Sequence, residues 1–258
     1  MDLSPLDTRG WIRAEADPQV LAWARAARAE GVRVTADPAM RATWLQCQGT
    51  WFVGVDALPT LPDGSIGGVP LAGPVIRALS PLPALHPAQL SVTYPGYPRP
   101  RKAESEAAFR YRLVRDAAHV DGLIAEAPER KRYLREPHAW ILGLPLTETD
   151  PEASPLTVYE GSGPRIRAAL RAVLERHPPE DWPQVDLTQA YQQARRDCFE
   201  RCPRVTLHAR PGEALLLHRH CLHGVAPWAE GAKAPPEGRM IAYFRPMLAG
   251  GAVAWIET

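Results

Sequence analysis

Apolar positions along the chain change period repeatedly, and each change marks a different kind of element. Behind Asp17-Pro18, a cap followed by a first-turn proline, Val20, Leu21, Trp23 and Ala27 recur at helical spacing, with Gly31 as the expected stop. Trp44 to Val55 is apolar and fits helix or strand alike. Residues 59–74 are rich in Pro and Gly and read as loop, and a short helix is expected through Val75, Ile76 and Leu79. From Gln89 the period drops to two. Leu90-Ser91-Val92-Thr93-Tyr94 alternates as a strand does, and Pro95-Gly96-Tyr97-Pro98 ends it. Phe109 to Val114 alternates again and reads as a strand leading into His119.

A polar, Arg-rich loop runs from Gly122 to Pro137, followed by strands over His138–Leu146 and Leu156–Tyr159. Helical spacing then returns twice, through Ile166, Leu170, Val173 and Leu174 and through Leu187, Tyr191, Ala194 and Cys198. The last portion reads as strands again: Val205–Leu207, Gly212–His218 and Arg239–Phe244. Strands, a helical insert and strands suit a mainly β, α+β fold with flanking helices. Its core is a double-sheet jelly roll, the double-stranded β-helix. One domain over residues 1–258 is expected, with a helical and loop-rich part over 1–85, the jelly-roll core over 86–258 and the helical insert near 163–201.

Composition narrows the partners. With 258 residues, 45% hydrophobic and 23% charged, and a formal net charge of +1, nothing electrostatic draws this chain to nucleic acid or to an anionic membrane. No apolar run reaches bilayer length. Met1-Asp2-Leu3-Ser4-Pro5 lacks a basic region followed by an apolar one, so a cytoplasmic location is expected. Four cysteines form no framework and are read as reduced thiols; Cys198 and Cys202 sit four apart on an expected helix without a further ligand pair.

Candidate chemistry begins at His119-Val120-Asp121. A strand repeats every two residues, so His119 and Asp121 project from one face. Joined by a distant second imidazole, His223 of His223-Gly224, they make a two-His-one-carboxylate triad, the open-sided ligand set of non-haem Fe(II). An H-x-D alone recurs by chance. His218, His220 and His223 also crowd together, but on an extended strand His223 points away from the other two, so a local three-His zinc site ranks well below the split triad. Arg239 opens the next strand and is placed to grip a carboxylate in bidentate fashion. The basic runs at Arg99, Arg101 and Lys102 and at Arg130, Lys131 and Arg132 read as solvated loops, with contact to an anionic substrate as the weaker reading.

On these blocks the sequence resembles the phytanoyl-CoA dioxygenase family of Fe(II)/2-oxoglutarate-dependent oxygenases, over roughly residues 85–247. His119-Val-Asp121 matches the family's H-x-D, Leu217 to Gly224 its strand ending in H-G, and Gly238-Arg239-Met-Ile-Ala-Tyr its arginine strand. Ser154 to Gly163 is similar to the family's N-G-x-L-x-V-x-P-G-S-H segment, with Glu160 in place of proline and Gly163 in place of histidine. The resemblance implies Fe(II) on His119, Asp121 and His223, the distal carboxylate of 2-oxoglutarate on Arg239, and Trp140 against that cosubstrate. It implies consumption of O2, release of succinate and CO2, and hydroxylation of a small organic molecule. Asp121 argues against halogenation, for which related enzymes exchange this carboxylate for a small residue. The rivals are a non-catalytic jelly-roll protein with a metal or ligand pocket and, less favoured, a metal-dependent hydrolase. Specificity is expected in the loop 122–137 and in Glu160–Gly163, and the protein as a monomer or homodimer.

Overall fold

Period-two stretches form two facing sheets in the computed structural model, which describes residues 1–257. The strands are β1 (Trp11–Ala14), β2 (Leu45–Gln46), β3 (Trp51–Leu58), β4 (Ala88–Thr93), β5 (Leu123–Glu126), β6 (Lys131–Leu134), β7 (Trp140–Pro145), β8 (Leu156–Tyr159), β9 (Arg204–Leu207), β10 (Ala214–His218), β11 (His223–Val225) and β12 (Arg239–Phe244). The large sheet runs β1-β10-β7-β12-β4-β3-β2, the small one β11-β8-β9, and β5-β6 is a separate hairpin. All pairings are antiparallel. This is the expected jelly roll.

Alternation assigns each face. Ile141 on β7 and Leu215 and Leu217 on β10 point inward, where they meet Leu156 and Val158 of the small sheet. Leu142, Leu144, Leu216, Met240 and Ala242 point outward into a second core. That outer core is covered by α2 (Pro18–Ala36), which follows α1 (Pro5–Thr8) and precedes α3 (Pro38–Trp44) and α4 (Pro74–Leu79). Asp17 caps α2 as expected, accepting from the Gln19 amide at 2.8 Å. Trp23, fully buried, donates its indole N–H to the Gly64 carbonyl at 2.8 Å. After α5 (Glu106–Arg115), the helices α6 (Ser162–Leu174), α7 (Thr188–Arg201) and α8 (Gly251–Glu257) form a third core around the outer side of the small sheet.

Three local expectations are corrected. First, α2 passes through Gly31 and ends at Asp37, before Pro38. Gly31 is there for packing: a Cβ would lie 2.6 Å from the Met240 sulfur, so the glycine lets the helix approach β12. Second, Phe109–Val114 is helical. The Ser105 side chain accepts from the Ala108 amide at 3.2 Å, and Asp116 closes the helix in a left-handed conformation. End chemistry and the buried Arg112, paired with Glu104 and Cys47, outweigh a short alternating pattern. Third, the N-terminal part supplies strands β1, β2 and β3 as well as helices, and the loop 122–137 carries the β5-β6 hairpin. Among the described residues no helix is long and apolar enough to cross a membrane.

A short extended segment at His119 lengthens the small sheet by pairing with β11. Just before it, the chain crosses directly over Gly224: the Val225 amide donates to the Asp116 carbonyl at 3.1 Å. A Cβ on Gly224 would stand 2.3 Å from that carbonyl oxygen and 3.1 Å from the Ala118 Cα. Close approach, not a tight turn, is therefore what the glycine of His-Gly serves. Gly224→Ala is expected to cost about 1–3 kcal/mol in urea unfolding; an unchanged midpoint would contradict the crossing.

His218 and His220 lie behind β10, with the His220 ring 4.1 Å from that of Trp255. Burial, reinforced by Arg219, pushes His218 down to about 4, and burial holds the fully enclosed His220 well below its ordinary value. The unfolded chain takes up the His218 proton near 6.5, whereas the folded one resists it until about 4. Stability from these groups is thus full above pH 6.5 and falls as pH drops from there toward 4. Thermal melts of the chelator-treated protein should show this slope, and His218→Gln should flatten it. A slope identical in the variant would remove His218 from the cause.

Candidate metal centre

The backbone sets the first two ligands. The His119 amide donates to the His223 carbonyl at 2.8 Å, and the His223 amide donates back to His119 at 3.0 Å. Directly opposed residues of an antiparallel pair share a face, and the two imidazoles sit with ring centres 4.9 Å apart. Val120 turns to the other face and is buried beside α7, its amide donating to the Tyr191 hydroxyl at 2.8 Å. Asp121 then returns to the face of His119. After it, Gly122 (φ +88°) turns the chain where a Cβ would strike the Glu136 carbonyl at 2.3 Å.

Side-chain chemistry orients the ring nitrogens. His119 Nδ1 lies 3.1 Å from the Ala117 carbonyl and His223 Nδ1 lies 2.9 Å from the Cys221 carbonyl. A carbonyl only accepts, so each Nδ1 carries a proton, and Nε2 is the nitrogen turned toward the other two residues. Those Nε2 atoms lie 3.2 Å (His119) and 3.9 Å (His223) from Asp121 Oδ1. One ligand atom from each of the three residues falls within 4.8 Å of the others. Burial pushes His223 down to about 4, which keeps it neutral and able to ligate. Burial alone would raise Asp121, but His119, His223 and Arg245 outweigh it and hold the carboxyl well below its usual range. Three electron-pair donors converging on one point fit a divalent cation.

A cavity of about 400 Å³ opens over the triad, walled by Trp51, Val53, Ile124, Ile141, Leu156 and Tyr243. Within the barrel, β12 sends Arg239, Ile241 and Tyr243 inward in turn. Arg239 is 7% exposed, bonds the Tyr243 hydroxyl and has no carboxylate partner among the described residues. Burial lowers its pKa. Thr93 stands opposite Arg239 in the β4-β12 register, and the buried Thr93 and Tyr97 hydroxyls have no hydrogen-bond partner. A buried guanidinium beside orphaned hydroxyls calls for an anion.

The structure brings His119, Asp121 and His223 together and places Arg239 in the same barrel interior. Trp140 lies elsewhere: it packs on the outer core, and its neighbour Ile141 takes the inward place on β7. His218 and His220 stay on the far side of β10, and Cys198 and Cys202 are buried free thiols outside any metal-ligand grouping among the described residues. From the loop 122–137, Ile124 and Glu136 reach the cavity. Glu160–Gly163 does not reach it, because Glu160 accepts from the Trp11 indole at 2.8 Å and Gly161 from the chain docks on the Arg9 carbonyl at 3.2 Å. Arg132 is spent on the Leu123 carbonyl at 2.9 Å, and Arg101 stacks over Trp51 at 5.5 Å. Arg99 and Arg130 are exposed and do not line the cavity. The arginine that does line it is Arg245, which donates to Asp121 Oδ2 at 3.2 Å. The period-two series Arg239, Ile241, Tyr243 points on to Arg245, and that signal was sufficient to find it.

No protein-family model matches the chain, and no curated protein matches it in sequence. Among solved structures it is similar to the non-heme alpha ketoglutarate dependent carbocyclase SnoK from nogalamycin biosynthesis, with a TM-score of 0.50 and 14% identity over 96% of this chain and 84% of that one. It is also similar to the epimerase SnoN in complex with Fe3+, alpha ketoglutarate and nogalamycin RO, at a TM-score of 0.48 and 15% identity over 99% of this chain and 87% of that one. A third is EctD from S. alaskensis with 2-oxoglutarate and 5-hydroxyectoine, at 0.47 and 14% identity over 96% and 75%. At this identity the likeness to SnoK establishes a shared jelly-roll fold.

Proposed function

We propose that this protein is an Fe(II)- and 2-oxoglutarate-dependent oxygenase that hydroxylates a small organic molecule. The observation that carries the reading is Arg239, a buried cation without a counter-ion in the same barrel as three converging metal ligands. A dicarboxylate cosubstrate supplies what both ends lack: a chelating end for the metal and a distal carboxylate for the guanidinium. Bound there, iron and 2-oxoglutarate supply the oxidising power, consuming O2 and releasing CO2 and succinate.

The chain's own residues then have separate tasks. His119, Asp121 and His223 hold the metal from one side and leave the other side open to the cavity. Arg239, with Thr93, Tyr97 and Tyr243 beside it, fixes the cosubstrate's far end and so its rotation about the metal. Trp51, Val53, Ile124, Ile141 and Leu156 make a wall that favours an apolar substrate portion and excludes water. The Asp121 carboxylate fills the third ligand position, which supports hydroxylation over halogenation. SnoK, whose fold the chain shares, is described as a carbocyclase, so ring closure is a neighbouring outcome of the same kind of site. A hydrolase needs no buried arginine across the barrel from its metal.

Anaerobic addition of Fe(II) and 2-oxoglutarate should produce a weak visible charge-transfer band, and metabolite screening in air should reveal substrate-stimulated succinate release. Asp121→Ala should abolish both. Intact iron binding with neither the band nor succinate sinks the oxygenase reading.

A further inference from the structure

Asp121 presents its two oxygens to different partners. Oδ1 faces the imidazoles, whereas Oδ2 accepts from Arg245 Nη1 at 3.2 Å. Arg245 is itself anchored, since its Nη2 donates to Gln89 Oε1 at 2.6 Å. Gln89 belongs to β4 and is the register partner of Tyr243, so the anchor is built into the large sheet. Asp121 belongs to the segment joined to the small sheet. The chain Gln89–Arg245–Asp121 therefore ties the metal-ligand loop across the mouth of the barrel.

We propose that Arg245 is a positioning residue that restricts Asp121 to monodentate ligation by holding Oδ2 away from the metal. This rests on the metal-site reading above and goes beyond it. A carboxylate with both oxygens free can take two corners of an octahedron. Two imidazoles and a bidentate carboxylate leave two corners open, and a chelating cosubstrate fills both. A monodentate carboxylate leaves three, so one remains for O2. Arg245 is suited to the task because its planar fork serves Asp121 and Gln89 through different nitrogens at once.

The test uses Co(II)-loaded protein. Infrared difference spectra on metal loading report the spacing between the two carboxylate stretches, which is wide for monodentate and narrow for bidentate binding. Azide added to the Co(II)–2-oxoglutarate protein, followed by the visible Co(II) bands, reports whether a third corner is free. Wild type should show the wide spacing. Arg245→Gln should bind Co(II), show the narrow spacing and, with 2-oxoglutarate bound, take up azide about 10- to 100-fold more weakly than wild type. Arg245→Lys, whose ammonium reaches Oδ2 but cannot also hold Gln89, should restore the wide spacing in part. Should Arg245→Gln fail to give a cooperative melt, Gln89→Leu removes only the anchor and should narrow the spacing in the same direction.

Wild-type spacing and wild-type azide affinity in a folded Arg245→Gln or Gln89→Leu protein overturn the role of Arg245 alone. Failure of the wild type to bind Co(II) overturns the metal site and this proposal together.

Discussion

Two backbone hydrogen bonds between His119 and His223 hold the geometry on which the rest depends. They join residues about a hundred positions apart and fix both imidazoles on the inner face of the small sheet. No backbone rearrangement is needed to bring them together. Gly224 makes the arrangement sterically feasible by admitting the Asp116 carbonyl where a side chain would stand. The Nδ1 contacts to backbone carbonyls complete it by deciding which nitrogen is free. The small sheet thus positions a ligand set before any ligand is present, which is how a rigid scaffold limits the cost of assembling a site.

Alternation on β12 organises the opposite wall. Its outward residues, Met240, Ala242 and Phe244, lock the strand beneath α2. Its inward residues, Arg239 and Tyr243, face the barrel, and Arg245 continues the series at the metal end. The strand and its extension therefore place one cation among hydroxyls inside the barrel and a second on the Asp121 carboxylate. The two charges differ in kind. Arg245 has Asp121 as its partner, whereas Arg239 is buried beside hydroxyls alone.

Much of this was legible in the sequence, for identifiable reasons. Period-two spacing placed His119 and Asp121 on one face and marked β4, whereas β7, β8, β10 and β12 stood out as short apolar runs, because both of their faces are buried. The pairing partner of His119 was recoverable only as a motif, since non-local backbone pairing leaves no local trace. Phe109–Val114 misled because six residues cannot separate a strand from a helix whose ends are set by Ser105 and Asp116. Trp140 was assigned to the cofactor by resemblance, but parity along β7 sends it outward and Ile141 inward. Gly31 read as a stop because a glycine used for close packing looks the same as one used for termination. Arg245 was passed over although the alternation that found Arg239 also reaches it.

The most direct measurement compares 2-oxoglutarate with 2-oxovalerate, which keeps the chelating end and lacks the distal carboxylate, on metal-loaded protein by calorimetry. Wild type should prefer 2-oxoglutarate on the order of 100-fold, the scale of a buried charge pair. Arg239→Gln should bind both ligands with similar, weak affinity. Equal affinities in the wild type, or a preference that survives Arg239→Gln, would contradict the assignment of that buried guanidinium to the cosubstrate.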